Sequence, residues 1–86
     1  MKILELKQIQ RADEGIYYRR KFTAEAVIEL PASNFDIPIS FTIETGPLGN
    51  KDLYIDFFKT LDYPVIPLKK ALTEKILTMD SEGKLP

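Results

Sequence analysis

Between Phe35 and Ile43 the odd positions are Phe35, Ile37, Ile39, Phe41 and Ile43, while the even ones are Asp36, Pro38, Ser40 and Thr42. A period of two cannot form one face of a helix, so this stretch is a half-buried β-strand. The preceding segment, Tyr18 to Leu30, alternates in the same way. Phe22, Ala24, Ala26, Ile28 and Leu30 fall on one face, with Lys21, Thr23, Glu25, Val27 and Glu29 on the other.

Pro31, Ala32, Ser33 and Asn34 separate the two runs and read as a turn. Folding about them sets Leu30 opposite Phe35, Ile28 opposite Ile37, Ala26 opposite Ile39, Ala24 opposite Phe41 and Phe22 opposite Ile43. Every core pair is apolar. On the other face this register joins Thr23 with Thr42 and Lys21 with Glu44, but it also sets Glu29 against Asp36, a like-charge contact. A slip of one residue would exchange the faces and is excluded.

Gly46, Pro47, Leu48, Gly49 and Asn50 mark a second turn, with glycine supplying positive φ. Its two glycines and Lys51 do not make a phosphate loop, because such loops lead from a strand into a helix N-terminus. Folding here pairs Ile43 with Leu53, Phe41 with Ile55 and Ile39 with Phe57. The strand from Phe35 to Thr45 is therefore internal, and the sheet should end or bulge at Pro38, which cannot donate to a ladder.

Residues 2–10 alternate less cleanly. Leu4 and Leu6 share one face, and Ile3 and Ile9 fall on the other unless a bulge near Lys7 changes the phase. This is an outer strand, joined to the next by a polar loop of Arg11, Ala12, Asp13, Glu14 and Gly15. After Asp62, Tyr63 and Pro64 the period lengthens. Leu68, Leu72 and Ile76, with Ala71 and Met79, form a helical stripe from about Pro67 to a stop before Gly83. The expected architecture is α+β: a four-stranded antiparallel meander with one C-terminal helix packed on one face, ββββα, as a single domain over residues 1–86.

Composition narrows the function. With 44% hydrophobic and 29% charged residues the chain falls in the globular range. A formal net charge of -1 supplies no global attraction to a polyanion. No cysteine or histidine is present, which removes disulfides, thiolate and imidazole metal ligands, and the commonest nucleophile and proton-transfer groups. No cofactor is expected. The first ten residues have no apolar signal core, and no run approaches the roughly 20 apolar residues of a membrane span. The chain reads as cytoplasmic, without membrane attachment.

Carboxylate chemistry through Glu25 or Glu44 is conceivable, since Glu25, Glu29, Asp36, Glu44 and Asp56 all point from the face away from the helix. A solvated sheet face explains the same pattern. A second candidate begins at residues 17–22, YYRRKF. Tyr17, Arg19 and Lys21 are expected on the open face, near Tyr54 and Phe58 of the last strand, with Phe58 opposite Pro38. Tyr18, Arg20 and Phe22 should turn to the helix side, Arg20 close enough to the sheet end to reach water. Aromatics beside cations on a sheet can stack bases and neutralise phosphate. The element order ββββα also resembles that of the positive cofactor four, Whirly and PUR families, which bind single-stranded nucleic acid on the sheet. That resemblance is of element order, without their sequence motifs, and it implies only a shared kind of platform.

Two expectations follow for this face. One is a non-enzymatic binding or regulatory module that associates with itself, as a homodimer, or with another protein, because Tyr17, Val27, Pro38, Tyr54 and Phe58 are more apolar surface than a free sheet usually shows. The other is single-stranded DNA or RNA binding by Tyr17, Arg19, Lys21, Tyr54 and Phe58.

Overall fold

In the computed structural model the chain runs β1 (Lys2–Arg11), β2 (Arg19–Glu29), β3 (Asn34–Thr45), β4 (Lys51–Phe57) and α1 (Val65–Ser81). The structure describes residues 2–12, 15–59 and 64–86. Asp13 and Glu14 of the expected first loop, and Asp62 and Tyr63 before the helix, lie outside the described residues. The four strands form an antiparallel meander in the order β1-β2-β3-β4, with α1 packed on one face, the ββββα architecture expected.

The core is the face predicted by alternation. Phe22, Ala24, Ala26 and Ile28 of β2, Ile37, Ile39, Phe41 and Ile43 of β3, and Ile55 of β4 are all buried. From above, α1 contributes Leu68, Leu72 and Ile76, each fully buried. A side chain of this kind removed from water contributes roughly 1.5–3 kcal/mol. Three at i, i+4 and i+8 are enough to hold a helix that lacks a side-chain N-cap.

The β3–β4 register is the expected one, with Ile43 opposite Leu53, Phe41 opposite Ile55 and Ile39 opposite Phe57. In the turn between them Gly49 has φ of 86°, its N–H bonding the Gly46 carbonyl at 3.0 Å, and Gly46 N–H bonds the Asn50 carbonyl at 2.7 Å. The β2–β3 register is shifted by two residues from the expected one. Phe22 faces Phe41, Ala24 faces Ile39, Ala26 faces Ile37 and Ile28 faces Phe35. A shift of two preserves both faces, so periodicity does not distinguish the two registers.

Turn geometry and cross-strand chemistry do distinguish them. The loop is residues 30–33, closed by Leu30 N–H to the Ser33 carbonyl at 2.9 Å. Phe22 and Phe41 then stack with centroids 5.1 Å apart. Glu29 meets Asn34 instead of Asp36, which relieves the like-charge contact, and Arg19 replaces Lys21 opposite Glu44.

Pro38 pairs with Glu25 of β2 without a bulge, and the β4 ladder stops beside it. Phe58 N–H reaches the Pro38 carbonyl at 3.4 Å, so the missing proline donor faces the side on which β4 ends. In β1 the register is irregular between Ile3 and Glu5 and again between Lys7 and Gln10, with Gln8 at φ 53°. These two irregularities put Ile3, Leu6 and Ile9 against the core. The expectation that Leu4 shares the face of Leu6 is corrected: an extra residue between Ile3 and Leu6 reverses the phase.

At its far end α1 closes as a Schellman motif. Gly83, at φ 69°, donates to the Asp80 carbonyl at 3.1 Å, and Lys84 N–H bonds the Met79 carbonyl at 2.9 Å. The helix begins at Val65, two residues ahead of the expected Pro67, placing that proline inside its first turn, where no intrahelical N–H bond is lost.

Candidate functional site

The face of the sheet opposite α1 has no covering element among the described residues. Cross-strand register arranges it in rows. Lys21, Thr42 and Tyr54 form one row, and Arg19, Glu44 and Asp52 the next toward the sheet end. In the other direction lie Thr23, Ser40 and Asp56, followed by Glu25, Pro38 and Phe58. Thr42 and Ser40 are only 7% and 5% exposed on this uncovered face, because longer neighbours from both adjoining strands close over them.

Four of the five expected site residues, Arg19, Lys21, Tyr54 and Phe58, share this face. They do not converge. Tyr54 and Phe58 are separated by four residues of chain, about 13 Å, with Asp56 between them. Lys21 lies two strands from Tyr54, about 10 Å. The Arg19 Nε is engaged with Glu44 Oε1 at 3.3 Å.

Tyr17 departs from its expected position. It belongs to the turn before β2, is 94% exposed, and packs edge-on against Tyr18 with centroids 5.5 Å apart. Tyr18, expected to point to the helix side, is in the same turn and half exposed. The strand cannot start earlier because its pairing with β3 begins at Arg19 opposite Glu44, after which Thr45 N–H bonds the Tyr18 carbonyl at 2.9 Å. Both rings line an open cleft of about 760 Å³ together with Glu44, Asp52 and Pro47. The polar groups nearest the aromatic pair are thus carboxylates.

The electrostatics of the face follow. β2 brings Arg19 and Lys21, whereas β2, β3 and β4 together bring Glu25, Glu29, Asp36, Glu44, Asp52 and Asp56. From β1, Lys7 Nζ sits 2.7 Å from Asp36 Oδ2, and this hydrogen bond is the chief reason that its ammonium is held above the ordinary lysine value. A phosphate chain crossing the face would meet more negative than positive charge. As for carboxylate chemistry, Glu25 faces Pro38 and Glu44 faces Arg19, six residues apart along β3 or about 20 Å. The two cannot share a substrate as a catalytic pair. Among the described residues no group of three or more acidic side chains is placed to hold a metal ion.

A second cluster escaped the sequence reading. On the helix side of the sheet end, Arg20 Nη1 and Nη2 donate to the two Asp80 carboxylate oxygens at 2.9 and 3.1 Å, and Lys51 Nζ donates to Oδ2 at 2.5 Å. The Asp80 side chain is only 7% exposed, and its pKa is lowered from 3.8 to about 2, chiefly by the Arg20 hydrogen bonds with Lys51 adding to them against desolvation. The signal was present: Asp80 continues the series Leu68, Leu72, Ile76 at intervals of four. A carboxylate on the buried stripe of a helix needs a cation on the surface it packs against. Arg20 therefore does reach the sheet end, as expected, and what it finds there is the end of α1.

The profile of the BB_0187 family matches residues 1–81. The chain belongs to that family. No curated protein and no solved structure matches it. What this member of the family does must therefore be argued from its own surface. Among its described residues no helix is long and apolar enough to cross a membrane.

Proposed function

We propose that this protein is a non-enzymatic association module that works by binding protein surface, another chain or a copy of itself. The observation that supports the reading is the uncovered sheet face, where Tyr54 and Phe58 are 53% and 61% exposed beside the outermost strand and are separated by an acidic side chain. Exposed aromatics framed by charge suit a protein interface, where rings supply contact area and charges fix register. Single-strand binding needs cations beside the rings instead, and here Arg19 is tied to Glu44 while Asp52 and Asp56 flank Tyr54.

Two measurements on one protein stock test the proposal. Light scattering over a concentration series, together with capture of a protein partner, should reveal association. Fluorescence anisotropy with labelled single-stranded DNA and RNA over a salt series should show no saturable binding. Binding that weakens with salt and is lost in Arg19→Ala/Lys21→Ala would overturn the proposal in favour of a nucleic-acid platform.

A further inference from the structure

The two edges of the sheet differ. β1 is interrupted by two register irregularities and by Gln8 in the left-handed region, devices that prevent a further strand from pairing along an edge. β4 has neither, and its pairing with β3 is continuous from Lys51 to Phe57. The direction of its free groups is fixed by its two ends. The Asn50 carbonyl turns inward to Gly46, and Phe58 N–H turns inward to Pro38. Even positions of β4 therefore face β3, and the N–H and C=O groups of Leu53, Ile55 and Phe57 face outward along an edge that no strand of the chain occupies. A groove of about 290 Å³ runs beside it, between β4 and the α1 residues Lys69 and Thr73.

We infer that the β4 edge is the docking site for the β4 strand of a second copy of this chain, antiparallel about a two-fold axis at Ile55, so that two four-stranded sheets become one. The inference rests on the association reading above and names its partner. Side-chain complementarity selects both occupant and register. With Ile55 opposite its own counterpart, Leu53 meets the second copy's Phe57 on the core face, and Tyr54 meets the second copy's Asp56 on the open face, where the phenol can donate to the carboxylate. Moving the axis to Tyr54 sets Asp52 against the second copy's Asp56, and moving it to Asp56 sets that carboxylate against itself. Both alternatives place like charges in contact. Lys51, near the end of the pairing, already has its charge matched by Asp80. The same arrangement gives Tyr54 and Phe58 a role, since both lie on the open face along this edge.

Because the chain has no cysteine, introduced thiols report the pairing without background. Tyr54→Cys and Asp56→Cys are made as separate variants, both at exposed positions outside the core. Opposite residues at a non-hydrogen-bonded antiparallel position have Cα atoms about 4.5 Å apart, within disulfide reach. Like positions in this register are diagonal, at about 7–8 Å, and beyond it. The expected result under mild oxidation is a covalent dimer in the mixture of the two variants and none in either alone. Tyr54→Glu should raise the dimer Kd about tenfold, because it sets two carboxylates face to face twice per dimer. A wild-type dimer by light scattering whose mixed thiol variants do not cross-link would overturn this pairing while leaving the association reading intact. Cross-linking of Tyr54→Cys with itself would overturn the stated axis. A chain monomeric at millimolar concentration would overturn the second copy as partner, whereas only salt-sensitive oligonucleotide binding overturns the association reading itself.

Discussion

Replacing Asp80 by asparagine removes the one charge that joins the end of α1 to two strands while leaving its shape almost unchanged. Folding lowers the Asp80 pKa from 3.8 to about 2, and at roughly 1.4 kcal/mol per unit the shift corresponds to about 2 kcal/mol. Its partners are partly wet, Arg20 at 26% and Lys51 at 38% side-chain exposure, so water screens some of the interaction. The expected loss at neutral pH is therefore about 1–2 kcal/mol, which in a domain of this size lowers the melting temperature by about 5–15 °C.

The sign of the pH dependence follows from the direction of the shift. A carboxylate whose folded pKa lies below its unfolded value stabilises fully above the unfolded value, and that contribution is lost as pH falls through the folded one. Urea unfolding followed by circular dichroism from pH 7 down to pH 2 should show the gap between wild type and Asp80→Asn closing between about pH 4 and pH 2. A gap that stays constant over that range would show that the asparagine acts through packing alone. A gap below about 0.5 kcal/mol at pH 7 would refute the ion cluster as a clamp on the helix.

Two further substitutions test the core and the bulged edge. Phe41→Ala removes a fully buried ring stacked on Phe22 and should cost about 3–5 kcal/mol, enough to leave much of so small a domain unfolded at 37 °C; retention of a cooperative melt near the wild-type temperature would contradict the packing described. Gln8→Gly should be neutral to stabilising by up to about 1 kcal/mol, since glycine adopts the φ of 53° without a Cβ clash, whereas Gln8→Val should lower the melting temperature; the reverse order would show that the backbone there is not left-handed.

How much of this was legible in the chain depends on the kind of signal. Alternation over residues 22–30 and 35–43 specifies which side chains are buried, since only a strand puts every second residue on one face, and the change to a period near four at Leu68, Leu72 and Ile76 specifies the covering helix. The β3–β4 register was also readable, because Gly46 to Asn50 form a turn whose glycine demands are explicit. The β2–β3 register was not. Two solutions differing by two residues bury the same side chains, and the choice lay in the closure at Leu30 and Ser33 and in the stack of Phe22 on Phe41. The irregularities of β1 fall in the same class, as a spacing of three along Ile3, Leu6 and Ile9 acquires a single face only once bulges are placed.

The candidate site divides along the same line. The sequence by itself determined that Arg19, Lys21, Tyr54 and Phe58 share an uncovered face, because face membership is a matter of parity. Only the tertiary structure decided what surrounds them: Glu44 on Arg19, acidic side chains on either side of Tyr54, Tyr17 outside the sheet altogether, and Asp80 brought sixty residues along the chain to Arg20. Parity is a local property of the backbone, readable residue by residue. Neighbourhood depends on register, turn closure and helix placement, which are settled by many weak contacts acting together.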